Sequence, residues 1–530
     1  MRLGHSLEQR GDNRCALRAY VAASAKDISS VEAHYQAGRM YVVMGDPVQA
    51  ARQFNQAVAL DPASVTSRLA AGETEEKLNN TADAERLYRE GLQESPSSPL
   101  VPEHLAALLG RDKQYQASIL YWKRALTLDP GNAEDQVSLA AAFTDAGQYN
   151  RANSILNDLL RTHPDNESAH FSLGAAYARN GQFPEAAAAY QDALRLQPHD
   201  AAAQLSLAKV FTILLRYDDA RSLLLDYTAA HPDDAVALAL LGHADCDLGR
   251  LKDAEPVLRK ATALAPASWE AQYYLGVALQ GDGDVGAAVA PLQRAEQLRP
   301  DAVEAHFQLS RAYRTLHQDG LKDKEVALIQ QAHAAESNRV HALVLANEGS
   351  HLLTAEDPQG ALGQYRQALA LDPRNGRLYY NISLAYRQMK NTDAERKALL
   401  QSEALDPGFA DTHNQLGILD SATGDSEGAM KEFLQAIRNN PDSAVALSNV
   451  GALLARQGDT TRAEYFLNRA VESDSSLVSA WVNLGLVLAQ QAKLEEALHA
   501  EQKALSLLPN DTGARAATGS IEAAMRAMPR

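Results

Sequence analysis

Five side-chain amides recur at one spacing: Asn347, Asn381, Gln415, Asn449 and Asn483 each follow the last by 34 residues. An amide offers N–H donors and a carbonyl acceptor, so a row of them pairs with the backbone of an extended peptide whatever the peptide's side chains are. Three residues beyond four of these positions, one helical turn along the same face, lie Leu384, Ile418, Ala452 and Leu486. They would supply apolar contacts for the peptide's own side chains. Earlier in the chain the same slot reads Gln36, Ala70, His104, Ser138, Ser172, Ser206, Leu240, Tyr274 and Gln308. The two halves therefore differ in what they offer a ligand, and the chemistry on offer is recognition.

No bond-making constellation stands beside it. The chain has no phosphate-cradling glycine loop, no H-E-x-x-H pair, no C-x-x-C and no nucleophile elbow. Its 15 histidines are scattered; His104 and His170 have no second ligand one turn away and read as ordinary helix residues. Glu75-Glu76 and Asp233-Asp234 read as solvated or helix-capping carboxylates. Cys15 and Cys246 are too far apart in sequence and in repeat number to bridge readily, and read as small helix residues. The expectation is a non-enzyme with no catalytic residue, no cofactor and no metal.

The elements that would position the amide row are written in the prolines. Pro62, Pro96, Pro130, Pro164, Pro198, Pro232, Pro266 and Pro300 keep the 34-residue period, and Pro373, Pro407, Pro441 and Pro509 continue it after a shift of five residues. Nearly the whole chain is thus one supersecondary unit copied in series. From Glu167 to Pro198 the unit reads Leu173-Gly174, Tyr177, Ala186, Tyr190, Ala193 and Pro198. The same slots hold Gly38, Ala50, Phe54, Ala57 and Pro62 earlier, and Gly417, Ala429, Phe433, Ala436 and Pro441 later. Small residues where two helices cross and bulky ones a turn away are what close helix packing requires. Gly45, Gly147, Gly181, Gly249, Gly283, Gly424 and Gly458 share a slot that should end each first helix in a left-handed conformation. Pro47, Pro184 and Pro358 then fall just inside the second helix. Ser64, Ser98, Asn132, Asn166, Asp200, Asp234, Ser268, Asn375, Ser443 and Asp511 are the N-cap candidates after the period-marking proline.

This pattern resembles the tetratricopeptide repeat (TPR). The resemblance covers essentially the whole length and implies an all-α, right-handed superhelical solenoid of stacked 34-residue helix-turn-helix units. It also implies that the amide slot, two residues before the small glycine, faces the inside of the superhelix. The amide row is similar to the asparagine ladder in the repeat region of O-linked N-acetylglucosamine transferases, and Ala480-Trp481-Val482-Asn483-Leu484-Gly485 is close to that family's unit, without its catalytic domain. The carboxylate clamp that holds chaperone C-termini in some members needs asparagine just after the glycine slot. Here that position reads Arg39, Glu73, Ala107, Ala175, Lys209 and Ser350 among others, so clamp-type binding is not expected.

Fourteen complete repeats fit between Val31 and Asp511. The organisation expected is a first block over 1–341, a second block of five repeats over 342–511, and a capping helix over 512–530 with Gly519, Ile521, Met525 and Met528 on its packing side. A solenoid needs such a cap because its last repeat has no neighbour. Between His317 and His341 the period is interrupted and the second helix, around Val326–Ala335, lacks its closing proline, so the stretch reads as a joint between two blocks or as one lengthened helix that adjusts the stacking. At the other end Gly4, Ala16, Tyr20 and Ala23 match the repeat slots, so Met1 falls inside a helix already under way, and the natural chain is expected to start upstream.

At 530 residues the chain would exceed a single ordinary core, but a solenoid packs each repeat only on its neighbours. The formal charge of −17, spread along the chain, argues against nucleic acid as the main partner. No run of about 18 apolar residues is present to span a membrane. The compartment is left open, cytoplasmic by default unless a signal precedes Met1. The function expected is a protein-interaction scaffold whose groove binds extended or helical segments of partner proteins; the alternative is the substrate-recruiting region of a larger enzyme. Partner identity and oligomeric state are not legible.

Overall fold

The computed structural model describes residues 1–527, and these are folded into 30 helices with no strand among them. The helices alternate as A and B members of a repeated hairpin, giving the all-α superhelical repeat fold. The chain divides into two compact units, Met1–His317 and the residues from Gln318 on, and each is built the same way.

Each hairpin follows from its local sequence. An A helix begins where an N-cap side chain accepts a bond from a first-turn N–H: Asn166 from Ala169, Asp200 from Ala203, Ser443 from Ala446. Asn132, Asp234, Ser64, Ser268, Asn375 and Asp511 do the same. Ser98 does not: the helix Leu100–Arg111 starts later and has Pro99 at its cap, because Pro99 and Pro102 displace the first turn. B helices are capped by Asp46, Asp284, Asp357, Asp425 and Asp459. Most end at a residue outside the helical region, such as Asp61 (φ −137°, ψ 88°) or Asp406 (φ −138°, ψ 76°), where the proline that follows disfavours that region.

Every one of the seven slot glycines has positive φ, from 72° at Gly249 to 97° at Gly283. Asn79, Lys113, Leu215, His317, Glu356, Lys390 and Ala492 occupy the same slot in other repeats at φ between 57° and 62°. The backbone demands the left-handed turn even where the residue disfavours it, at a cost of about 1 kcal/mol for a side chain with a Cβ. Leu215 is 70% exposed and has no packing to lose. Leu215→Gly is expected to raise stability by about 0.5–1 kcal/mol, read as a higher melting temperature; an unchanged or lower value would refute the strain.

The crossings inside each hairpin are close. A Cβ added at Gly38 would lie 2.6 Å from the Phe54 ring, at Gly174 2.7 Å from Tyr190, and at Gly349 2.5 Å from Tyr365. Phe54 is 2% exposed and Tyr365 1%. A second recurrent device locks the turn between hairpins. The side chain six residues after the period-marking position donates to that position's carbonyl: Gln136 to Pro130, Gln204 to Pro198, Gln272 to Pro266, Arg68 to Pro62, His170 to Pro164, His306 to Pro300 and Trp481 to Ser475. Any long donor satisfies this otherwise orphaned carbonyl.

The interrupted region is one helix, Asp319–Thr354, 36 residues long. Of the two readings the lengthened helix is the one found: the helix around Val326–Ala335 runs on because no proline or left-handed residue stops it before the next A helix starts, and the boundary expected at 341/342 falls inside it. Glu75 is not a solvated carboxylate: it is 8% exposed and accepts from Asn55 Nδ2 at 3.2 Å and Asn80 Nδ2 at 2.8 Å. Cys15 and Cys246 are free, and burial pushes the Cys246 thiol up to about 12, which leaves it unreactive. At the C-terminus the helix Thr512–Ala527 packs Ile521 and Met525 onto the last core; Met528 lies outside the described residues. No helix among the described residues is long and apolar enough to cross a membrane.

Candidate functional site

Successive A helices touch each other, Ala201–Ile213 with Ala235–Asp247 and Ala444–Arg456 with Val478–Gln490, whereas B helices make no comparable contact with other B helices. Within each compact unit the A helices therefore form the crowded inner wall and the B helices the splayed outer one. The amide slot lies on A helices, and all five amides belong to the compact unit that begins at Gln318.

Their hydrogen-bond states differ. Asn347 is exposed, Asn381 is half-buried, and neither makes a hydrogen bond to another described residue. Gln415 Oε1 accepts from Arg387 Nη1 at 2.6 Å. Asn449 Nδ2 donates to Asn414 Oδ1 at 2.9 Å, and Asn483 Nδ2 donates to Ser448 Oγ at 3.4 Å. In both cases the partner is the residue just before the amide slot of the preceding repeat. The bond holds the amide plane and leaves the carbonyl oxygen as the free acceptor. The neighbouring apolar positions are available: Ile418 is 36% exposed and Leu486 47%, while Leu384 is half-buried. Sequence spacing thus finds the row, but not that Asn449 and Asn483 commit a donor within the fold.

In the other compact unit the A-helix face carries a cleft of about 410 Å³ that the amide pattern does not announce. Ile213, Val236 and Leu240 line it with Lys209, Glu270 and His243. His243 stacks on Tyr274, ring centroids 3.9 Å apart, and its Nε2 meets the Tyr274 hydroxyl at 2.7 Å. Burial pushes the His243 imidazole toward its neutral form, while Asp247 at 2.9 Å opposes that shift. The cleft suits one apolar side chain flanked by opposite charges. Its signal in the sequence was the change of the slot to Leu240 and Tyr274.

A family model described as the tetratricopeptide repeat matches residues 35–99, 137–201, 176–235, 239–303, 347–408 and 414–478. No curated protein sequence matches the chain. Among solved structures it is similar to the APC/C hetero-tetramer Cut9–Hcn1, at 13% identity and a TM-score of 0.38, over 98% of this chain and 95% of that one. It is also similar to a tetratricopeptide repeat protein from Parabacteroides merdae ATCC 43184, at 14% identity and 0.39, over 47% and 98%. Yeast Tom70 matches at 14% identity and 0.31, over 94% and 96%.

Proposed function

This chain belongs to the tetratricopeptide repeat family, and on that premise we propose that it is a non-enzymatic scaffold that binds an extended segment of a partner protein along the A-helix face of residues 347–486. The observation that carries the reading is the state of the amide row. Asn449 and Asn483 are each held by a bond to the preceding repeat with a carbonyl free, Asn381 makes no bond within the fold, and exposed Ile418 and Leu486 lie one turn away. A peptide strand laid across them would meet acceptors for its N–H groups at regular intervals and apolar surface between them.

Each neutral hydrogen bond contributes on the order of 1 kcal/mol net, so the affinity rests on several acting together. Replacing Asn381, Asn449 and Asn483 with alanine is expected to weaken binding about 100-fold while leaving the helical circular dichroism in place. The probe is a set of peptides selected by display on the immobilised wild-type chain, with affinities read by fluorescence polarisation. Asn381→Ala alone disturbs no internal bond and should account for about a fivefold loss. Unchanged affinity in the triple variant would remove the amide row from the binding surface.

A further inference from the structure

On the opposite, B-helix side of the same compact unit, three helices bring Glu403, His413 and Glu432 together at the edge of a cleft of about 550 Å³. Glu403 comes from the helix Thr392–Leu405, His413 from Ala410–Thr423 and Glu432 from Ser426–Asn439. One ligand atom of each lies within 4.8 Å of the others. His413 is 3% exposed. Its Nε2 lies 3.0 Å from the Pro407 carbonyl, and since a carbonyl only accepts, Nε2 carries the hydrogen. Nδ1 faces Glu432 Oε2 at 2.8 Å, across which either a proton or a metal ion can sit.

Two acceptors at that distance require a cation between or beside them, and the local charges say which kind. A proton on Nδ1 gives one positive charge against two carboxylates and leaves Glu403, which makes no hydrogen bond or ion pair to another described residue, uncompensated. Lys431 reaches Glu432 Oε1 only at 3.7 Å and is 82% exposed, and Arg438 at the cleft wall donates to Gln435 instead. A divalent ion held by Nδ1 and two carboxylate oxygens is neutral. We propose that Glu403, His413 and Glu432 bind a borderline first-row divalent cation of the zinc class, clipping the hairpin that ends at Leu405 to the next.

The chemistry of the donor set fits. An imidazole ligand selects zinc-class metals over magnesium or calcium. A ligating histidine normally donates its other ring N–H to a carbonyl or carboxylate, which is the bond His413 makes to Pro407. Zinc bonds of about 2.0–2.2 Å in a tetrahedron put neighbouring ligand atoms about 3.3 Å apart, so the histidine–Glu432 contact opens by about half an ångström on loading. A water would complete the coordination, since all three residues line the cleft. The spacing between the three residues, 10 and 19 positions on three helices, is why no short motif announces the site.

The test is calorimetric titration of tag-free, chelator-treated full chain with zinc chloride, alongside melting with and without zinc. The variants are His413→Gln and Glu403→Gln. Glutamine at this slot keeps the bond to the proline carbonyl, as Gln136, Gln204 and Gln272 do, and Glu403 has no bond to lose, so both variants should fold. Wild type is expected to bind one zinc equivalent more than either variant and to melt a few degrees higher with zinc but not with magnesium. Equal stoichiometry in wild type and His413→Gln would reduce the cluster to an imidazolium–carboxylate pair, and an equal response to magnesium would overturn the zinc-class assignment.

Discussion

Glu501→Leu is expected to stabilise the C-terminal repeats above neutral pH and to abolish most of their pH dependence. In the other repeats the residue that packs beneath the small A-helix slot is large and apolar: Phe433 under Gly417, Leu467 under Gly451. In the last repeat it is Glu501 under Gly485, where a Cβ on the glycine would lie 2.6 Å from Oε1. Glu501 is fully buried and neither carboxylate oxygen has a hydrogen-bond partner among the described residues. Burial, aided by the charge of Asp511, pushes its carboxyl up to about 7.

The sign follows from proton binding. Below the ordinary value of 4.5 the carboxyl is protonated folded or unfolded. Between about 4.5 and about 7 the folded repeat keeps a proton that the unfolded chain releases, so stability falls as pH rises through this window, and above it the full penalty persists. At about 1.4 kcal/mol per pKa unit this is on the order of 3 kcal/mol, concentrated in the terminal repeat and the helix Thr512–Ala527. Hydrogen exchange in Val478–Leu507, compared at pH 5 and pH 8, should show the loss in the wild type and its absence in the variant. An identical pH response in both would mean that the carboxylate is solvated.

Gly417→Val should be among the most damaging single changes in the second compact unit. The new Cβ would stand 2.6 Å from the Phe433 ring, which is 2% exposed and packed in a cluster with Leu447, Val450 and Leu467. Neither helix can give way without opening that cluster, and overpacking of this kind costs about 3 kcal/mol. Since a repeat array sums nearest-neighbour terms, the repeats around residue 417 should unfold in a separate, earlier transition. Gly363, exposed on the helix Pro358–Leu371 with nothing within 4 Å of its missing Cβ, is the contrast: Gly363→Ala should gain up to about 1 kcal/mol of helix propensity. Scanning calorimetry of both variants reads the difference, and a single unshifted transition in Gly417→Val would contradict the nearest-neighbour account.

These two sites mark the limits of what the repeat pattern conveys. Gly417, Phe433, the left-handed glycines and most caps were legible because each is demanded at a fixed offset by the backbone of one hairpin. Lys113, Leu215 and Ala492 were not, since the same turn imposes positive φ on residues that give no sign of it. The run-on at Asp319–Thr354 was legible only as one of two readings, because an absent stop signal is weaker than a present one. The amide row was visible as spacing, yet the bonds of Asn449 to Asn414 and Asn483 to Ser448 depend on how far one A helix is displaced against the next. Glu501 fits no polar role that sequence could suggest, and its burial appears only when the slot beneath Gly485 is seen filled. Glu403, His413 and Glu432 meet through stacking of three helices, which no local spacing encodes.

The bond from the sixth residue to the proline carbonyl sets one requirement, a donor long enough to reach, and glutamine, arginine, histidine and tryptophan all meet it in different copies. Selection for folding is therefore blind to which of them is present, and the copies are free to drift at this position without losing the scaffold. Drift among equivalents puts new chemistry within a few substitutions of a plain repeat. Where that slot holds histidine and glutamates stand on the adjoining helices, as at Glu403, His413 and Glu432, a plain repeat carries chemistry that the scaffold itself does not need.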